Sequence, residues 1–147
     1  MARRSDHSRP ELTRLALDAA RGIVVKDGIT ALSGRKIASE IGYTVGTLYQ
    51  IFDDMDDLVE RMNAETLAHL YDHSRQGEDR DDIGARLKAF GLLFMEFASG
   101  HPNEWDAVMS YRYIDGHTTS DVYQIEISRL FGLMEGATRA FYDDDEA

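Results

Sequence analysis

Gly42 and Gly46 stand four residues apart in a stretch, Glu40 to Phe52, where threonine and tyrosine crowd between two short apolar-periodic pieces of chain. On one side Ile37, Ala38 and Ile41 recur at helical spacing behind Ser33, a good cap residue. On the other, Val45, Leu48, Tyr49 and Phe52 follow Thr44 at i, i+3, i+4 and i+7. Two short helices, 34–41 and 45–52, joined through Gly42 make a helix-turn-helix, whose second helix offers its N-terminal residues to the major groove of double-stranded DNA. Leu48 and Phe52 anchor that helix from below, which leaves Val45, Thr47 and Gln50 outward. Gly46 has no side chain to hold the backbone off a duplex, and that offsets the roughly 1 kcal/mol a glycine costs inside a helix. At 1.5 Å per residue the helix is only about 12 Å long, enough to enter the groove end-on and reach a few bases.

The rest of the chain also reads as helices, so the fold expected is all-α. Ser8 and Glu11 form a capping-box pair ahead of Leu12, Leu15, Ala16, Ala19 and Ile23, and Gly28 supplies a left-handed stop, placing a helix at about 10–27. A fourth helix opens at Asp54, with Asp57 at its third position and Met55, Leu58, Val59, Met62, Thr66 and Leu70 as its stripe. A polar break at 74–82 precedes a fifth helix, about 83–99, whose Phe90, Phe94 and Phe97 face is joined by Leu92, Leu93 and Met95 on other sides. That helix is expected to be buried nearly all round. A short helix at 103–113 carries Trp105 and Met109. Ser120 caps a last one, with Tyr123, Ile127, Leu130, Met134, Ala137 and Phe141 along one side.

A net charge of −11 argues at first against a nucleic-acid partner. Its distribution reverses that reading. Residues 1–52 hold 8 Lys and Arg against 5 Asp and Glu, whereas 53–147 hold 8 against 22. Such asymmetry suggests two jobs in one chain. Cysteine is absent, which excludes disulfides and thiolate metal sites and allows a reducing compartment. No apolar segment follows the N-terminal arginines as a secretory signal would, and the run 89–95 is too short to span a bilayer, so a soluble, cytoplasmic protein without membrane contact is expected.

Ala16 to Glu60 resembles the DNA-binding domain of TetR-family transcriptional regulators. The shared features are an apolar first helix ending in Gly before Thr, the pair Ile37 and Ala38, the run G-x-[ST]-x-G-T-L-Y-x-x-F from Gly42 to Phe52, and an acidic-leucine start to the fourth helix. The remainder resembles the helical ligand domain of one TetR subgroup, best in HPNEWDAVMSYR. The resemblance implies a three-helix DNA-binding domain at 10–54 behind a flexible basic arm at 1–9, joined by the fourth helix to a ligand-binding and dimerisation domain at 55–147. It implies a homodimer on a palindromic operator, repressing until a small hydrophobic effector binds. Carried over residue by residue, it makes Thr44, Thr47 and Tyr49 phosphate contacts and Val45, Gly46 and Gln50 the base-facing edge. Arg35 and Lys36, at a helix start, suit either phosphate or solvent. Arg3, Arg4 and Arg9 suit an arm along the duplex or a solubilising tail. The chain departs from the family where Val45 and Met55 stand for the lysine often found, and Ile51 for a histidine. Asp53, Asp54, Asp56 and Asp57 around Met55 suit the positive end of a helix dipole but not a phosphate backbone.

Beyond the fourth helix, Phe90, Phe94, Trp105, Met109, Tyr113, Tyr123 and Met134 could line an apolar cavity for a hydrophobic ligand, or be plain core. His69 and His73, one turn apart, continue the stripe of Met62 and Thr66 and so should face inward, as structural or ligand-sensing groups. Such a pair can also hold a metal, but no third ligand is placed, so neither metal nor cofactor is expected. His7, His101 and His117 carry no signal. No nucleophile elbow, phosphate loop or dinucleotide fingerprint is present, so no enzyme chemistry is expected. The competing reading is a truncated interaction protein without DNA binding, which pairs with a full-length regulator or sequesters a hydrophobic ligand, since FYDDDEA ends the chain where the family usually adds two helices.

Overall fold

The computed structural model describes residues 7–77 and 82–143. Arg3 and Arg4 of the expected arm, and the side chains of Ala137 and Phe141, lie outside the described residues. Among the described residues there are helices and turns and no strand.

Helix α1 (Arg9–Asp27) begins at Ser8, whose hydroxyl accepts the Glu11 amide while Glu11 accepts the Ser8 amide at 2.6 Å, the reciprocal capping box. It stops at Gly28 with φ 83° and ψ 168°, so the glycine has positive φ but not the left-handed helical conformation expected of it. The short 3₁₀ turn Ile29–Ala31 leads to α2 (Gly34–Ile41), capped by Ser33 and closed by Gly42 in the left-handed region at φ 74°. Thr44 caps α3 (Val45–Leu48) by accepting the Thr47 amide. This helix is half the expected length. From Tyr49 the chain tightens: the Gln50 and Ile51 amides reach back three residues, to the carbonyls of Thr47 and Leu48. Ile51 and Phe52 both enter the core, at 6% and 1% exposed.

Helix α4 (Met55–Ser74) is the axis of the molecule. Asp54 caps it through the Asp57 amide at 2.8 Å. Its first half closes a core made of Leu12, Ala16, Leu17, Ala20, Ile23 and Val24 from α1, Ile37 from α2 and Leu48, Ile51 and Phe52 from α3 and the turn after it, to which α4 adds Leu58, Val59 and Met62. Ala107, from far along the chain, completes this core. The second half of α4 packs with α5 (Ile83–Gly100), α6 (Pro102–Ser110) and α7 (Asp121–Asp143).

Helix α5 is not buried all round. Ala89 and Phe97 are its buried residues, while Leu92 and Met95 are 61% and 65% exposed. Its apolar composition exceeds what its contacts with α4, α6 and α7 use. Helix α6 stops at Ser110, three residues earlier than its periodicity suggests, because 111–120 leaves as an extended strap that bonds back to α4. No helix among the described residues is long and apolar enough to cross a membrane.

Candidate nucleic-acid interface and apolar cavity

The outer edge of the helix-turn-helix is built around α3. Thr44 does two things at once: its hydroxyl caps the helix and lies 2.9 Å from the Thr47 hydroxyl, so the two threonines hold each other at the tip. Val45 and Thr47 are half-buried; Gly46 and Gln50 are exposed. A methyl added at Gly46 would meet nothing closer than the Thr44 hydroxyl at 3.7 Å, so the glycine opens a flat approach rather than relieving an internal clash. Tyr49 is 43% exposed and is no core residue. Its hydroxyl lies over the start of α2, 3.0 Å from where a Cβ on Gly34 would stand, which presents the phenol on the same surface as the α2 N-terminus. Arg35 is exposed there and has no ion pair with any described residue. Lys36 is already engaged: its ammonium lies 2.9 Å from Asp27 at the end of α1 and lowers that carboxyl below its usual value. Arg9 is exposed, and His7 reaches the Tyr43 hydroxyl at 2.7 Å, a contact that ties the start of the chain to the turn.

A cavity of about 420 Å³ opens between α4, α5, α6 and α7. It is lined by six of the expected residues, Phe90, Phe94, Trp105, Met109, Tyr123 and Met134, and by Leu67, Leu70, Val108, Ile127, Leu130 and Phe131. Trp105 meets Phe94 edge-on, ring centroids 5.0 Å apart at 85°. The lining carries no carboxylate, ammonium or guanidinium; its one ionisable group is the Tyr123 phenol, which burial pushes up. Tyr113 does not line this cavity. It sits on the strap, stacked on His117 with centroids 4.7 Å apart, and burial pushes its phenol up to about 12. His69 does not face inward either: it is exposed. The helical stripe set by Met62 and Thr66 would carry it inside, but α4 changes partners along its length, and beyond Thr66 the buried side follows Leu67, Leu70 and Ser74. His73 is partly buried beside the Phe97 ring and 3.7 Å from Glu96. Among the described residues no three metal-binding side chains cluster.

Residues 16–62, from α1 through the first two turns of α4, match the family of bacterial regulatory proteins, tetR family. The N-terminal domain belongs to the tetR family. Solved structures extend the likeness along the chain as fold alone, at about a fifth identity. A protein of unknown function from Rhodococcus sp. RHA1 superposes with TM-score 0.75 and 20% identity, over 97% of this chain and 73% of that one. A protein from Shewanella sp. PV-4 assigned to the tetR family of transcription regulators gives 0.68 and 18%, over 94% and 72%. One from Streptomyces coelicolor A3(2) with the same assignment gives 0.63 and 18%, over 85% and 58%. No curated protein matches the sequence. The tetR-type domain places the chain among DNA-binding transcription regulators.

Behind the tetR-type domain, α4 carries a buried polar stripe that periodicity did not reveal. The acids that seem unsuited to a DNA-facing helix start are mostly used internally. Asp54 is the cap, Asp57 holds Arg61 at 2.7 Å and the Asp53 amide at 3.0 Å, and Asp56 is turned away from the head, 3% exposed. Asp56 accepts the Tyr111 hydroxyl and the Ile114 amide, each at 2.8 Å; Glu60, also 3% exposed, accepts the Ser120 amide at 2.7 Å and the His117 ring. Asn63 donates to the Ala107 carbonyl at 3.1 Å. A second junction gathers on Arg21 of α1. Its guanidinium donates to Glu104 of α6 at 2.5 Å, to Glu65 at 3.1 Å, and to the Thr66 hydroxyl and the Met62 carbonyl at 3.0 Å. Burial alone would raise Glu65 and Glu104, but the hydrogen bonds from Arg14 and Arg21 to the first, and from Arg21 and His101 to the second, outweigh it and hold both below the usual range. The available sequence signal was the i, i+4, i+7 spacing of Asp56, Glu60 and Asn63, which reads as a polar face until a partner is known.

Proposed function

We propose that this regulator is a repressor that holds a palindromic operator as a homodimer and releases it when a small, uncharged, apolar molecule enters the cavity between α4 and α7. The observation that carries the reading is the juxtaposition on one helix of the tetR-type domain and the cavity: α4 starts beside Phe52 in the DNA-binding core and contributes Leu67 and Leu70 to the cavity wall. Thr44, Thr47, Tyr49 and Arg35 serve as phosphate contacts in this reading, with Lys36 a weaker contributor because Asp27 already holds it; Val45, Gly46 and Gln50 form the edge that meets bases. The cavity size fits a small ligand, and its lining selects against charge, since an ion buried without a partner pays a large desolvation cost. Exposed apolar side chains on α5 and α7, among them Leu92, Met95, Val122, Ile125 and Phe131, support pairing of two copies.

The test combines two optical readouts. Trp105 is the one tryptophan of the chain and lines the cavity, so its emission reports occupancy directly. Labelled DNA from upstream of the protein's own coding region is followed by anisotropy at two salt concentrations while naphthalene or naphthalene-2-carboxylate is added. The reading requires salt-sensitive DNA binding, quenching of Trp105 by the neutral compound and not by the carboxylate, and loss of DNA in parallel with quenching. Quenching without any change in DNA affinity would remove ligand release; absence of DNA binding at low salt would remove the regulator reading itself.

A further inference from the structure

We propose that the strap between α6 and α7 is a latch on α4 whose closure is set by the protonation of His117. Two carboxylates one helical turn apart on α4, Asp56 and Glu60, are each 3% exposed, and burying such a pair without a counter-charge is costly. Everything that satisfies them comes from the strap and its junction with α7: the Tyr111 hydroxyl and Ile114 amide on Asp56, the Ser120 amide and the imidazole of His117 on Glu60. Three of these donors are neutral. Among the described residues, His117 is the one cation within ion-pair distance of either acid, with Nε2 on Glu60 and Nδ1 4.0 Å from Asp56.

The charged groups facing the imidazole all act in one direction, and burial, which opposes them, does not prevail. From α4, Glu60, Asp56 and Asp54 favour its charged form; from the strap, Tyr113 lies flat against the ring at 11°; from α7, the Tyr123 phenol approaches Tyr113 and is itself uncharged. The hydrogen bond to Glu60 raises His117 above the ordinary histidine value, while at Glu60 burial is outweighed by the bonds from Ser120 and His117, leaving that carboxyl lowered. A raised histidine contributes stability that is complete below its unfolded pKa and lost as pH rises through its folded one. A lowered carboxylate contributes above its unfolded pKa and loses that contribution as pH falls through its folded one. The latch is therefore fully closed between the two and opens on the alkaline side when His117 gives up its proton. The strap begins just after Val108 and Met109, which line the cavity, and ends just before Tyr123, which also lines it, so an open latch frees one wall.

The experiment is an NMR titration of the full chain, free of DNA and of added ligand, so that its outcome is independent of the repressor reading. It follows the His117 ring together with hydrogen exchange at the Ile114 and Ser120 amides, corrected for the intrinsic pH dependence of exchange. Expected are a His117 midpoint above about 6.5, the ordinary value, and a severalfold loss of protection at both amides at that same midpoint, with the Phe52 amide unaffected. In His117→Gln, where the side-chain amide can still donate to Glu60 but cannot titrate, the step should vanish. Steady protection through the His117 midpoint in the unaltered protein overturns the proposal, whether or not the variant folds. So does a step that survives in His117→Gln.

Discussion

Gln50 and Arg35 are both exposed but make opposite demands on a binding experiment. Gln50→Ala should cost roughly 1–3 kcal/mol on the cognate site and relax preference at one base pair per half-site, because an amide side chain reads a base edge. Arg35→Ala should weaken all sequences alike and reduce the salt slope by about one, since a phosphate contact carries no sequence information. Competition footprints at several salt concentrations separate the two, and a pair of variants with identical profiles would sink the assignment. Gly34 adds a subtler case. In Gly34→Ala the new methyl would stand 3.0 Å from the Tyr49 hydroxyl, so the phenol must shift while the core beneath it stays in place. DNA affinity should fall with little change in the thermal midpoint, and a drop in midpoint that accounts for the whole loss would argue that Tyr49 has no part in binding. None of these close contacts can be read from residue type. The sequence names Tyr49; only the fold shows what it lies against.

At the scale of helices, what was legible was their starts. Ser8, Ser33, Thr44, Asp54 and Ser120 all accept a backbone N–H at the beginning of a helix, since a short oxygen-bearing side chain followed by apolar periodicity has few other uses. Interiors and ends were less legible, for identifiable reasons. The chain turns into α4 straight after Phe52, where Asp57 accepts the Asp53 amide, and that leaves α3 short; Tyr111 found Asp56, and that ended α6 early. The apolar richness of α5 said nothing about which of its sides would be covered. Six cavity residues were legible because aromatic and thioether side chains at helical spacing converge where helices meet, whereas the strap acids of α4 and His117 were missed because they are partners across more than fifty residues. The start of α4 also offers a test. With Asp56 turned inward, Met55→Lys should tighten DNA binding more at low salt than at high, at a stability cost of about 0.3–1 kcal/mol for a cation at a helix N-terminus. Unchanged affinity at low salt would place this helix start away from the duplex.

The whole molecule is joined by charge as well as by packing. Arg21 links α1 to α4 and α6 with a side chain 19% exposed, against Glu104 at 13%. Arg21→Ala leaves Glu104 and Glu65 without that cation, and removal of one partner from a buried pair costs about 3–5 kcal/mol, an upper bound for these partly exposed groups. Because both carboxyls are held low, their contribution is present at neutral pH and disappears as pH falls through their lowered values. The variant should therefore melt lower at pH 7 and lose less on acidification; parallel pH curves for the two proteins would exclude this role. Assembly is tested at the same scale. Ile125, 55% exposed on α7, belongs to the surface proposed for pairing, and Ile125→Glu should shift sedimentation toward the monomer across a hundredfold dilution series, about the range that a 2.8 kcal/mol change in association displaces. A monomer at every concentration before substitution would overturn the dimer proposal.

Ala107 has a consequence for anyone wishing to move this DNA-reading unit onto another protein. It is wholly buried in the core that Phe52, Val59 and Met62 share, although it comes from α6. A graft cut before α4 would leave Leu48 and Phe52 facing water, and one cut after Met62 would still lack the small side chain that seals the far side. The transplant succeeds only on a recipient that offers an alanine-sized surface at that spot, and a recipient with leucine there would wedge the graft open. Compatibility between donor and host is thus decided by one methyl group more than forty residues beyond the last residue of the graft.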